Sequence, residues 1–239
     1  MAKITENVNK VVSAVIVSAG NSTRMGGINK QFLELNGAPV IVNTIAMFQR
    51  CQMIDEIIIV TRESDIEGIA KLVKKYDLSK VFNIVSGGET RQLSVYEGVT
   101  ATSNITDLVV IHDGARPLVT LKVIEETIKV AAESGAAATG VKVKDTVKIV
   151  DDNDNIVDTP DRAYMRFIQT PQVFDKKLYL DAVNSVENSK DFTDDCMLIE
   201  AFGKTVKFVD GDYENIKITT PEDIELAENY LKNRRELYA

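Results

Sequence analysis

Val11-Val-Ser-Ala-Val-Ile-Val-Ser18 is a short apolar run that opens directly into Ala19-Gly-Asn-Ser-Thr-Arg24-Met-Gly-Gly-Ile-Asn-Lys30-Gln31. A run of this kind, rich in valine and interrupted by nothing large and polar, reads as a strand buried on both faces, as in a parallel sheet. The loop after it is built of small residues, so its backbone N–H groups can approach an anion that bulky side chains would hold away. Arg24 and Lys30 bring two cations to the same loop. It is not a Gly-x-x-x-x-Gly-Lys-Ser/Thr phosphate loop, and Gly-x-Gly-x-x-Gly is not satisfied from Gly20. Taken alone, the pattern is open to a second reading as a structural turn with incidental charges.

Working outward, Ile57 to Val60, Val81 to Val85 and Leu108 to Ile111 read as further fully buried strands. Helical spacing separates them: Ile66, Ile69, Ala70, Val73 and Tyr76 in one interval, Leu93, Tyr96 and Val99 in the next. Thr120 is placed to cap a helix whose face is Leu121, Ile124, Ile128 and Ala131, ending near Gly135. The alternation predicts an α/β domain with a doubly wound, mainly parallel, Rossmann-like sheet. The stretch from Ala136 to about Phe174 breaks the rhythm. Ala136 to Val143 and Thr146 to Val150 look extended, Asp151-Asp-Asn-Asp-Asn155 is a polar turn, and Ile156-Val157 resumes. This predicts an inserted β-hairpin arm over residues 137–172, within a single domain of residues 1–239. A calcium loop is the other reading of the Asp/Asn cluster, but the spaced glycine and terminal glutamate of such loops are missing. Helices are then expected from Lys176 to Val186 and from Thr193 to Phe202, and a strand from Thr205 to Val209. Thr220-Pro221-Glu-Asp opens the last helix with a cap, a proline at the first helical position and acids in the first turn.

Composition narrows the chemistry. Of 239 residues, 28 are Lys or Arg and 36 Asp or Glu, a net charge of −8, which argues against a general nucleic-acid binder. A few well-placed cations can still dominate a local field and hold one small anionic substrate. Cys51 and Cys196 have no Cys-x-x-Cys spacing, which makes a structural zinc site an unsupported reading. No run approaches a membrane span and the first residues lack a signal-peptide core, so the cytoplasm is the expected compartment. His112 is the only histidine, and no Gly-x-Ser-x-Gly elbow accompanies it.

Three further segments carry chemistry. Gly87-Gly-Glu-Thr-Arg91-Gln-Leu-Ser94 is a second glycine-led loop after a strand, where open α/β sheets bind ligands. Ile111-His-Asp113-Gly-Ala-Arg116-Pro puts a carboxylate and a guanidinium at the same edge. Asp113 reads as a ligand for a divalent ion or a ribose hydroxyl, or else as a turn-capping Asp. Asn215-Ile-Lys217-Ile-Thr-Thr-Pro sets a lysine among apolar neighbours, which a solvated strand face would also explain.

Together with Lys144-Asp-Thr146-Val-Lys, Thr159-Pro-Asp-Arg162, Gln169-Thr-Pro-Gln-x-Phe174 and Thr193-Asp-Asp, these segments run in consistent order over most of the chain. The ordered set resembles the 2-C-methyl-D-erythritol 4-phosphate cytidylyltransferases of the non-mevalonate isoprenoid pathway. Ser22, Ser18 and Glu89 depart from that family's commoner Gly, Ala and Asp. The resemblance implies transfer of CMP from CTP to a polyol phosphate with release of pyrophosphate. It implies catalytic roles for Arg24, Lys30, Arg162 and Lys217. Ala19, Gly20, Gly88, Ser94, Asp113 and Gly114 would hold the nucleotide, and Arg116, Thr146 and Thr193 would orient the acceptor. It also implies Mg2+ on the CTP phosphates, with Asp113 as the candidate metal-side carboxylate. A homodimer is implied as well, in which the arm carries Thr146 and Arg162 into the partner's site. Ribitol-5-phosphate cytidylyltransferases share several of these segments and are the alternative within the class. A non-catalytic nucleotide-binding protein is the alternative outside it, and such a chain would be expected to lose Arg24, Lys30 or Lys217.

Overall fold

Valine-rich and isoleucine-rich segments form a central sheet here because each can be covered on both faces. The computed structural model describes residues 10–20, 29–185 and 192–238. In chain order the elements are β1 (Val12–Val17), the small hairpin β2 (Glu34–Leu35) and β3 (Ala38–Pro39), α1 (Val40–Arg50), β4 (Glu56–Thr61), α2 (Ile66–Lys75), β5 (Val81–Ser86), α3 (Arg91–Thr100), β6 (Leu108–Asp113) and α4 (Leu121–Ser134). They continue with β7 (Ala136–Lys142), β8 (Ile149–Val150), β9 (Ile156–Asp158), β10 (Arg166–Asp175), α5 (Lys176–Ser185), α6 (Asp195–Ala201), β11 (Lys207–Asp210) and α7 (Glu222–Tyr238).

Seven strands form one sheet in the order β11-β7-β10-β6-β1-β4-β5. All neighbours are parallel except that β10 runs antiparallel to both β6 and β7. Alternate residues of β1 face opposite layers. Val12, Ala14 and Ile16 meet α1, α2 and α4, whereas Val15 meets α3, α5 and α6. Two continuous apolar cores, one on each face, are the main stabilising term of such a three-layer fold. A third, smaller cluster, with Leu35, Ala115, Leu118, Ile218 and Ala227, packs α7 against the loops at one end of the sheet.

Several expectations are corrected in detail. Val81 to Val85 is not fully buried: β5 is the edge strand, and Phe82 is 66% exposed. The face of α3 is displaced, with Ser94, Val95, Gly98 and Val99 buried while Leu93 points outward. Residues 136–142 and 166–175 belong to the central sheet, so the separate two-stranded ribbon is narrower than residues 137–172 and comprises β8 and β9. Because the chain returns from that ribbon by a direct reversal, β10 must be antiparallel; a parallel partner would need a full crossover. The Asp151 cluster is a turn, with Asp151 Oδ1 accepting from the Asn153 and Asn155 N–H groups at 2.9 Å. The helix expected to reach Val186 is described to Ser185, and Val186 lies outside the described residues. The helix expected over residues 193–202 is Asp195–Ala201 with Asp194 as its cap, and the strand expected from Thr205 starts at Lys207.

Candidate active site

The parallel register lines up strand ends. Val17 of β1 sits beside Asp113 of β6 and Val60 of β4, and Thr61 sits beside Ser86 of β5. The loops that follow these strands therefore share one edge of the sheet. Ser18 fixes the exit of β1 twice, donating from its N–H at 2.7 Å and its hydroxyl at 2.8 Å to the Val60 carbonyl. The loop at Gly87 passes so close that a Cβ there would lie 2.5 Å from Ala19 Cβ and 2.7 Å from Ser94 Oγ. Only glycine permits that approach. Thr90 then caps α3, its hydroxyl accepting from the Leu93 N–H at 3.1 Å.

These loops enclose a cavity of about 500 Å³ lined by Ala19, Gly20, Lys30, Gly88, Ser94, Asp113 and Lys217 among the expected residues. At its floor is Asp113, 7% exposed. Its Oδ2 takes the Lys217 ammonium at 3.0 Å and Arg116 Nε at 3.2 Å, while Arg91 Nε stands 4.0 Å from Oδ1. Burial alone would raise this carboxyl's pKa, but Lys217, Arg116 and Arg91 outweigh it and hold it well below the usual carboxylate range. Thr170 Oγ1 accepts from the Asp113 N–H at 3.0 Å, at the place where the β7–β10 register shifts.

Two loops latch the segment that carries Lys217. Arg116 donates to the Asn215 carbonyl at 2.8 Å, and Lys30 Nζ donates to the Ile218 carbonyl at 2.9 Å. Lys30 and Lys217, 187 residues apart in sequence, are thereby tied to one short stretch. Arg116 and Gly114 flank Asp113 without lining the cavity themselves.

Arg91 and Arg62 line the cavity and were not assigned roles from sequence. Arg91 pairs with the buried Asp195 at 2.7 Å, and Asp195 also accepts from the Tyr179 hydroxyl at 3.1 Å. Burial opposes the charge on Arg91, yet Asp195 and then Asp113 keep the guanidinium protonated. The motif containing Arg91 was visible, but its carboxylate partner is 104 positions away and carries no local signal. Arg62 is held by Asp65 at 2.7 Å, and the same Asp65 oxygen accepts from Asn29 Nδ2 at 2.9 Å, one residue before Lys30.

The remaining expected residues are placed elsewhere. Thr146 and Arg162 are exposed at the root of the ribbon, with Arg162 donating to the Lys144 carbonyl at 2.7 Å. Thr193 is exposed in the turn before α6. Arg24, with Ser22, lies outside the described residues. Among the described residues no group of three His, Cys, Asp or Glu side chains is arranged for a metal ion.

Comparison with known proteins gives one consistent answer. The family model described as IspD, 2-C-methyl-D-erythritol 4-phosphate cytidylyltransferase, matches residues 12–233. The 2-C-methyl-D-erythritol 4-phosphate cytidylyltransferase of Alkaliphilus oremlandii is 47% identical over 97% of this chain and 99% of its own length. That of Caldanaerobacter subterraneus is 49% identical over 92% of this chain and 99% of its own. Among solved structures, the 4-diphosphocytidyl-2C-methyl-D-erythritol synthase of Anaerococcus prevotii superposes with a TM-score of 0.84 at 40% identity, covering 93% of this chain and 96% of that one.

Proposed function

Since the chain belongs to the 2-C-methyl-D-erythritol 4-phosphate cytidylyltransferase family and is a CTP-dependent cytidylyltransferase of the non-mevalonate pathway, we propose the following division of labour among its residues. A phosphate oxygen of 2-C-methyl-D-erythritol 4-phosphate attacks the α-phosphorus of CTP. One P–O bond forms there, the bond to the β-phosphate breaks, and pyrophosphate leaves. A phosphate is already nucleophilic at neutral pH, so the site needs no general base. Its work is to position two anions and neutralise developing charge.

The observation that carries this reading is the buried carboxylate of Asp113, set among three cations at the cavity. Lys217 and Arg116 contact Oδ2, and Arg91 Nε stands 4.0 Å from Oδ1, beyond hydrogen-bond reach. Oδ1 keeps capacity to accept a ribose hydroxyl. Ala19, Gly20, Gly88 and Ser94, which line the cavity, surround the nucleotide, and Gly114 supports them beside Asp113; Lys30 faces the phosphates, Arg24 is assigned the same role from its place in the sequence motif, and Lys217 serves the α-phosphate and the incoming acceptor. Arg116 holds Asp113 and the Lys217 loop in place, and Thr193 meets the acceptor from the turn before α6.

Magnesium fits this site as an ion that arrives on the triphosphate rather than one caged by protein. Asp113 Oδ2 is already shared by two cations, and the described residues offer no three-ligand group. When bound, it supplies positive charge to the phosphate oxygens.

The exposed arm supports a homodimer. Ile156, Val157, Tyr164 and Phe167 are all exposed, and an isolated two-stranded ribbon gains little stability alone. A second copy covers this surface, and Arg162 and Thr146 reach the acceptor in the partner's site. No described helix is long and apolar enough to cross a membrane, and we assign the enzyme to the cytoplasm. Steady-state kinetics of Arg162→Ala test the acceptor role. The expected result is a rise of about tenfold or more in the acceptor KM with little change for CTP. Equal effects on both substrates would overturn it.

A further inference from the structure

Tyr213 stands in the loop between β11 and α7, four residues before Lys217, and reaches the root of the arm. Its hydroxyl donates to the carbonyl of Lys142, the last residue of β7, at 2.7 Å. The Lys144 ammonium lies over its ring, 3.7 Å from the centroid, well inside cation–π range. The Lys144 carbonyl in turn accepts from the Arg162 guanidinium at 2.7 Å. Thr146 follows two residues later. The stretch carrying Lys144 and Thr146 falls between β7, which ends at Lys142, and β8, which begins at Ile149, and belongs to neither strand. Beyond Val143, whose N–H donates to the Met165 carbonyl at 3.4 Å, its direction depends on side-chain contacts.

The mount on which Tyr213 sits is firm. Arg234 of α7 grips both neighbours of the tyrosine, Asp212 at 3.2 Å and Glu214 at 2.7 Å, and donates to the Leu118 carbonyl at 2.9 Å. On the other side Gln169 donates to the Asp212 carbonyl at 2.8 Å. One aromatic residue thus connects a braced loop to the arm root, which is otherwise held by contacts from within the arm and β10, such as Arg162 on the Lys144 carbonyl and the Val143 N–H on the Met165 carbonyl at 3.4 Å.

We propose that Tyr213 is a positioning residue for the acceptor. It touches no substrate. By gripping Lys142 and Lys144 it aims the arm, and with it Arg162 and Thr146. The inference rests on the reading that the arm delivers those two residues to the acceptor phosphate.

The test uses the full-length enzyme, with Tyr213→Ala, Tyr213→Phe and Arg162→Ala alone and in combination. Tyr213→Ala is expected to raise the acceptor KM by about tenfold while the CTP KM stays within about twofold; Tyr213→Phe, which keeps the ring, has the smaller effect. In the Arg162→Ala background Tyr213→Ala adds less than about threefold, because the two act through one contact chain. Full additivity would overturn the proposal, as would a joint rise in both KM values together with a lower thermal midpoint. An unchanged acceptor KM in Tyr213→Ala, with a raised one in Arg162→Ala, would overturn the proposal and leave the arm's role standing. An unchanged acceptor KM in Arg162→Ala would overturn the arm reading and this proposal with it.

Discussion

Asp113 and His112 are adjacent on β6 and face opposite electrostatic fates. Asp113, beneath Lys217, Arg116 and Arg91, is held ionised to well below the usual carboxylate range, against the burial that would raise it. His112 is fully enclosed, with the Phe48 ring 4.8 Å away and its Nε2 donating to the Arg116 carbonyl at 3.2 Å. Burial lowers its pKa to about 4. In the unfolded chain an imidazole titrates near 6.5, so on acidification the proton binds the unfolded state first. The contribution of neutral His112 to stability is complete above about pH 6.5 and is reduced by about 3 kcal/mol as pH drops to about 4. Since this is the only histidine, its ring C2 proton can be followed alone by NMR. The resonance should be flat from about pH 8 to 5.5, and a midpoint near 6.5 would contradict the burial argument.

At the scale of elements, α3 is held against the sheet at Gly98, where a Cβ would collide with Val15 and would lie 2.6 Å from Val60 Cγ2. Gly98→Ala should push the helix outward, costing about 1–3 kcal/mol in chemical denaturation. CTP KM should rise with it, because α3 carries Arg91 and Ser94. Wild-type stability and CTP KM would contradict tight packing there. The elements legible in the sequence were those with a sharp local signal: the valine runs, the strand-to-glycine-loop junctions, and α4 between the Thr120 cap and left-handed Gly135. Others left no such mark. Val40-Ile-Val-Asn-Thr-Ile-Ala-Met-Phe48 opens on three β-branched residues after Pro39, with no capping side chain to mark its start, and α1 was not anticipated. Val81 to Val85 has the composition of a central strand, but edge position depends on where strand additions stop. The Arg91–Asp195 and Lys30–Ile218 contacts join segments far apart in sequence, so the site's residues could be named while its wiring could not.

For the whole molecule, the net charge of −8 describes the exterior, whereas Lys30, Arg62, Arg91 and Lys217 line one cavity and Arg116 flanks it. Local field rather than total charge governs binding of a small polyanion. The proposed homodimer belongs to this scale too. Tyr164, 87% exposed, and Phe167, 59% exposed, stand at the arm's root. Tyr164→Asp with Phe167→Asp should give a monomer in analytical ultracentrifugation with turnover reduced by about 10²-fold or more, because each site would lose the partner's Arg162. A monomer with full turnover would contradict a shared site. The most direct test of the central claim is pyrophosphate release from CTP with 2-C-methyl-D-erythritol 4-phosphate and, in parallel, ribitol 5-phosphate. The expected result is Mg2+-dependent turnover with the methylerythritol substrate and far slower turnover with ribitol 5-phosphate. Faster turnover with ribitol 5-phosphate, or none with the methylerythritol substrate, would contradict it.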